Sequence, residues 1–404
     1  MSKDNNMTLV DKLIWSLTVL LFALFYIMDK DYRISSVLLG VTLVITFLSV
    51  IQNRYKIYVK VEAFHAFVFI FALFCFASSL WAIQANLAIE KGITIIELLV
   101  CMALLYSFYV KFESIEILLK SIMFGGYIVG IYSVYAYGIN TIMMLIRQGA
   151  RLDNDYTNIN MIGMVCAIAT ILTVFYLLNE KMHIYMILCL PDILMVAGSG
   201  SRKALVLMIL GIFLVVLFKY SSRNIVYNIL KVIVIIGISY FALKMLFQSQ
   251  LFSGVTSRMD SLANLFTGKG TVDGSAMKRK QMIAIGIDQF LKTPIVGIGI
   301  GNPKLINIMD AYLHNNYVEL LAGGGIVGFI CYYSIYGYLI FKIIKSDLLE
   351  NKTSRLVLIL IVLLLVMDYG AVSYYSKSTY FYLMVFFLHV RNIKFENRRM
   401  NDEY

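Results

Sequence analysis

Long apolar runs broken by short polar segments fill most of the chain. A helix that crosses a bilayer needs about 20 mostly apolar residues, within a range of about 17–25. On that ruler the pattern predicts helices near 13–28, 34–51, 64–83, 92–110, 116–137 and 159–178. Six more fall near 184–198, 204–218, 225–243, 318–341, 356–373 and 378–390, the seventh and twelfth being short. Residues 244–317 depart from the pattern as the one long hydrophilic stretch. Inside it, Ser275–Leu291 interleaves Met277, Met282, Ile283, Ile285, Ile287 and Phe290 with Lys, Arg and Gln. That spacing predicts an interfacial helix ended by Lys292-Thr293-Pro294. The expected fold class is all-α: a polytopic transmembrane bundle of about 12 spans with one long extracytoplasmic loop. Its expected organisation is a bundle over 1–243, the loop over 244–317, and C-terminal helices with a cytoplasmic tail over 318–404. No repeat of about 20–50 residues is visible.

Composition agrees with lipid as the solvent. The 404 residues are 60% hydrophobic and only 15% charged, against about 25% charged in a soluble domain. The five cysteines, Cys75, Cys101, Cys166, Cys189 and Cys331, lie inside apolar runs and read as small buried hydrophobes. The N-terminal MSKDNNMTLV lacks a small-residue cleavage site after a short apolar region, so Leu13–Met28 reads as a retained first helix.

A net charge of +11 raises the question of nucleic acid, and its distribution answers it. With the N-terminus in the cytoplasm, the inner segments hold seventeen Lys and Arg and the short outer loops hold eight. This asymmetry predicts both termini inside and an even number of spans. Most of the charge then has its origin in topology and contact with anionic membrane lipid, and no nucleic-acid partner is required.

Three segments could carry chemistry. In AGSGSRKAL, Ala197–Leu205, Arg202 and Lys203 stand at a helix start, where free N–H groups and the helix dipole favour an anion. The alternative is a polar turn with snorkelling cations. In Pro294–Phe329, PIVGIGIGN is followed by HNNYVELLAGGGIVGF. No βαβ unit surrounds Gly297, Gly299 and Gly301, so a packed turn at the membrane surface is favoured over a dinucleotide loop. His314 is one of four histidines and stands beside Asp310, Asn315, Asn316 and Glu319. A neutral imidazole there can act as general base on a hydroxyl, or it can cap and pack. The third segment is GARLDNDYTNIN, Gly149–Asn160, with Arg151 and the pair Asp153 and Asp155. Asp-x-Asp holds metal nucleotides in many glycosyltransferases, but a helix N-cap and turn role is favoured.

Glu97, Lys120, Asp192, Lys231 and Asp368 are ionisable residues inside apolar spans, a costly placement that is often functional. Asp192 follows Pro191, which makes a broken helix plausible there. No metal motif exists, and the histidines are scattered.

The many spans, the GSGSR segment and the loop reading SAMKRKQMI, PIVGIGIGN and HNNYVELLAGGGIVGF together resemble the O-antigen ligase and polymerase superfamily. The motif-level likeness covers about residues 195–330. The resemblance implies a metal-independent glycosyltransferase of GT-C type, without cofactor, at the outer face of the cytoplasmic (inner) membrane. Its substrate would be an undecaprenyl-diphosphate-linked oligosaccharide, with a flippase and a chain-length regulator as assembly partners. It assigns Arg202 to the diphosphate, and Arg279 to the same group or to the leaving group. It assigns His314 to orienting or deprotonating the acceptor hydroxyl. Lys203, Arg258, Arg151, Asn315 and Glu319 are further substrate-binding candidates. Relatives commonly carry a tryptophan three residues after the loop arginine; Met282 stands there, so Lys278 and Lys280 remain alternatives to Arg279.

The chemistry is coherent. A diphosphate leaving group gathers negative charge as the C1–O bond breaks, and preorganised guanidinium groups can answer it without a metal. Arginine suits this better than lysine because its planar fork binds phosphate at two points. The expected activity is polymerisation of lipid-linked repeat units into O-antigen or capsular polysaccharide. The first alternative is a ligase transferring the glycan to lipid A-core. A transporter or flippase, the alternative of another class, would place charge along a central cavity, not on one outer face.

Overall fold

The structure is a computed structural model and describes residues 7–31, 33–52, 61–148, 150, 152, 157–180, 183–219, 274–307, 311–345 and 351–402. Every regular element among them is a helix: α1 (Leu9–Ile27), α2 (Ile34–Gln52), α3 (Ala63–Ser78), α4 (Ala85–Tyr109) and α5 (Glu116–Tyr137). Then come α6 (Ile139–Gln148), α7 (Ile159–Glu180), α8 (Ile184–Leu188), α9 (Leu190–Gly198) and α10 (Arg202–Lys219). The last five are α11 (Gly274–Lys292), α12 (Pro303–Ile306), α13 (Asn316–Lys345), α14 (Lys352–Asp368) and α15 (Lys377–Asp402). Six of them, α1, α2, α4, α5, α7 and α13, are long and apolar enough to cross a membrane. The chain is a multi-pass membrane protein. The expected helix near 225–243 and the loop as far as residue 273 lie outside the described residues.

Differences from the sequence pattern have local causes. The helix expected over 92–110 begins at Ala85, because Ala85–Lys91 is rich in helix formers although too polar to count as membrane. The helix α6 was not anticipated; it is short and amphipathic, with Ile142 and Ile146 buried. The expected span over 184–198 is divided into α8 and α9 at Cys189, with Pro191 in the first turn of α9. Proline cannot donate the backbone bond that would continue the helix.

Contacts divide the chain into two compact units, residues 1–15 with 35–117 and 274–404, and residues 16–34 with 118–273. The first unit packs α3 on α4, α13 on α3, α15 on α4 and α11 on α13. At the α3 start Glu62 accepts from Tyr106 Oη at 2.8 Å and from Arg391 Nε at 3.0 Å, tying three helices together. The second unit is built around α7, buried without a break from Ile162 to Thr173. A helix that is apolar all round has no solvent face to keep. Its small residues let neighbours approach closely: Gly163 faces Ser199 and Ala204, and Ala169 faces Gly126 of α5.

Of the five cysteines, four are buried and Cys331 is half-buried, all as free thiols. Lys120 pairs with Glu180 at 3.5 Å.

Candidate functional site

In the first unit the glycine run is threaded through its surroundings by backbone hydrogen bonds. Gly325 (φ 59°, ψ −163°) breaks the helical geometry of α13. The N–H groups that follow are received by the loop, Ile326 N by Pro294 O at 2.9 Å and Val327 N by Ile295 O at 3.1 Å. Ile298 N returns a bond to Ala322 O at 3.1 Å. The turn between α3 and α4 supplies the other side: Ile83 N donates to Ile298 O at 3.2 Å and Trp81 Nε1 to Val296 O at 3.1 Å. Ile300 N donates to Ser78 Oγ at 3.1 Å, and Gln84 N to Asn302 Oδ1 at 2.7 Å. Irregular backbone at a membrane protein's core is tolerated when protein satisfies it in this way. Gly297 must be glycine twice over, because its φ is 65° and a Cβ there would meet the backbone of Gly323 at 2.5 Å.

His314 lies in the turn between this loop and α13. Its φ of 56° places a non-glycine residue in the left-handed region, a strain that tends to concentrate at functional positions. The imidazole is half-buried, its centroid 4.3 Å from that of the Tyr312 ring. Neighbouring side chains hold the turn. Asn315 Oδ1 caps α13 by accepting from Val318 N at 3.1 Å, and Glu319 Oε2 accepts from Leu313 N at 2.8 Å. Both residues are buried, so the two substrate-binding candidates from the sequence serve here as supports of the His314 turn. Behind them Asn316 Nδ2 donates to Tyr333 Oη at 2.9 Å and to Asp368 Oδ2 at 3.2 Å, and its Oδ1 accepts from Ser373 N and Tyr374 N. Asp368 also accepts from Tyr333 and Ser373.

The amphipathic helix α11 packs on the same turn. Met282 is buried among Leu313, Val318 and Ala322, with Ile283 alongside, and Gly286 faces Leu313 and Val318. At 100° per residue, positions 279, 282, 283, 286 and 290 form one stripe near the centre of the packed face. Arg279 is half-buried on that stripe, while Lys278 and Lys280 are exposed. The structure thus brings the Arg279 helix against Leu313, the immediate neighbour of His314.

In the second unit the GSGSR turn joins α9 to α10. Gly200 takes a φ of 58°, and Ser201 Oγ accepts from Ala204 N at 3.4 Å as the cap of α10. Arg202 and Lys203 are the first two residues of that helix, both half-buried. Asp192, in the first turn of α9, is wholly buried, and neither carboxylate oxygen has a hydrogen-bond partner among the described residues. Arg151, Asp153, Asp155, Lys231, Arg258 and Asp310 lie outside the described residues. Glu97 is exposed on α4 in the first unit and lines a cavity of about 390 Å³ together with Phe76 and Lys377.

Comparison with known families supplies the decisive observation. Residues 184–333 match the family model of the O-antigen ligase. The matched segment runs from α8 to just past the middle of α13, and so contains Arg202, Arg279, the glycine loop and His314. The match supports the resemblance to the O-antigen ligase and polymerase superfamily, whose members are membrane glycosyltransferase-like enzymes. No curated protein matches the chain.

Sequence reasoning missed the residues that gather by folding. Lys91 lies against Gly301, with its ammonium 3.5 Å from the centroid of Tyr375. Nothing in the run Ala85–Lys91 marks it off from other loop lysines. The partners of Asp368 were equally invisible, since Asn316 and Tyr333 stand 52 and 35 residues away.

Proposed function

We propose that the chain polymerises undecaprenyl-diphosphate-linked oligosaccharide repeat units into O-antigen or capsular polysaccharide, at the outer face of the cytoplasmic membrane. The observation that carries this reading is the packing of the Arg279 helix on the His314 turn inside the family segment. In the reaction the acceptor hydroxyl oxygen forms a bond to C1 of the donor sugar as the C1–O bond to the diphosphate breaks. The bonding electron pair leaves on the diphosphate, and the hydroxyl proton passes to His314. Arg279 stabilises the growing negative charge, and Arg202 is assigned to the donor diphosphate. Arg151, Lys203 and Arg258 are assigned to glycan or phosphate contacts. The excess of Lys and Arg in the inner segments supports cytoplasmic termini and an outward-facing loop over 244–317. A flippase and a chain-length regulator are its assembly partners in this reading.

The description of the matched family favours a second reading, a ligase that moves a finished chain onto lipid A-core. Both readings use the same donor chemistry and differ in the acceptor. Deleting the gene and running a glycan gel separates them. Single-unit product identifies the polymerase, and long chains left on the lipid carrier identify the ligase. An unchanged ladder overturns both.

A further inference from the structure

Lys91 is a cation that the reaction above leaves without a task. It sits in the second turn of α4, half-buried, with its aliphatic stem against Gly301 and its Nζ over the ring of Tyr375. Among the described residues no hydrogen bond or ion pair engages its ammonium. The charged groups acting most strongly on it are Glu319 and then Lys304, ahead of Glu90. Glu319 is buried and already accepts from Leu313 N, while Glu90 is exposed, where water and salt screen it. Lys304, in α12, is itself half-buried. Lys91, against Gly301, and Lys304, three residues further along the same loop, thus bring two ammonium groups to the end of the glycine run, where the nearby Glu319 carboxylate is already engaged.

Such an arrangement is unfavourable by itself. An ammonium drawn partly out of water needs acceptors for its three N–H groups, and a ring face replaces only part of that hydration. An oxyanion would supply both the acceptors and the missing negative charge. We propose that Lys91 and Lys304 bind an oxyanion carried by the glycan substrate, with the Tyr375 ring holding Lys91 in position. The shared chemistry admits two sources, a diphosphate oxygen of the lipid carrier or a carboxylate of an acidic sugar. Only the source rests on the glycosyltransferase reading; the site itself rests on the packing around Gly301.

The test uses the full chain in lipid nanodiscs with Trp15→Phe. Of the two tryptophans this leaves Trp81, whose indole is bonded to Val296 of the glycine loop. Inorganic pyrophosphate, glucuronate and glucose are titrated while Trp81 fluorescence is followed. A saturable response to one anion and none to glucose is expected. Lys91→Gln or Lys304→Gln should weaken it at least about tenfold, and Lys91→Arg should restore it to within about threefold. A pyrophosphate response assigns the carrier diphosphate, and a glucuronate response assigns an acidic sugar. No saturable response, or an unchanged one in both glutamine variants, overturns the proposal. Anion binding by a chain whose deletion leaves the glycan ladder intact would refute the activity but not the site. A ladder lost on deletion, with no anion response, would refute the site alone.

Discussion

Replacing His314 by glycine separates chemistry from packing at the turn before α13. The backbone φ of 56° costs an L-residue about 1–2 kcal/mol. Glycine escapes most of that strain but returns about 0.5–1 kcal/mol through the greater freedom of the unfolded chain. The ring contact with Tyr312, at 4.3 Å between centroids, is worth about 0.5–1.5 kcal/mol and is lost. These contributions nearly cancel, so His314→Gly should stay within about 1 kcal/mol of the parent, a shift of at most a few degrees in Tm. Removal of a general base costs about 10²–10⁴-fold in turnover, far beyond anything the stability change can produce. Purified protein in nanodiscs would be assayed for glycan transfer from a lipid-linked donor, with Tm and donor binding measured on the same preparation. The expected result is a folded, donor-binding, inactive enzyme. Activity within tenfold of the parent, or a variant that unfolds, would refute the assignment of His314 to the chemistry.

Arg202→Ala should abolish long-chain glycan while leaving expression intact, and a normal ladder on the gel would count against the donor role of the α10 start. Arg279→Lys keeps the charge but loses the two-point phosphate fork, so turnover should fall at least about tenfold. Lys278→Ala and Lys280→Ala, on exposed positions, should stay within about threefold; the reverse ranking would show that the buried stripe of α11 does not face the donor. Gly325→Ala combines a φ of 59° with a Cβ lying on the backbone of Ile295 and Val296, and should cost about 3 kcal/mol or more, read as lost folded yield. Wild-type yield and Tm in that variant would contradict the threaded loop. EDTA should leave purified activity unchanged, whereas strict dependence on added metal would return attention to Asp153 and Asp155.

Much of the fold was legible because membrane helices are written locally. The run Glu116–Tyr137 forms a helix over the expected residues, and Gly274–Lys292 is helical where the mixed pattern of Ser275–Leu291 predicted it. The break in the span over 184–198 was signalled by Pro191, although the structure places the junction two residues earlier, at Cys189. The site was legible in part. Arg202, Arg279 and His314 could be nominated from motif and residue type. Asn315 and Glu319 could be seen as a polar cluster, but not as the cap and tether of the His314 turn.

By itself, the sequence determined that this is a helical membrane protein, where most of the described long helices run, and which arginines and histidine stand in the resembling motifs. Hydropathy and periodicity are sums over near neighbours, so they survive without a fold. Only the tertiary structure decided what the glycines are for, which of three consecutive cations lies on the packed face of α11, and where Lys91 goes. Each of those depends on groups distant in the chain. Trp81 meets Val296 across 215 residues, and Gln84 meets Asn302 across 218. The left-handed turns at Gly297 and Gly325 are required by the backbones packed against them, and no local pattern in the chain encodes that crowding.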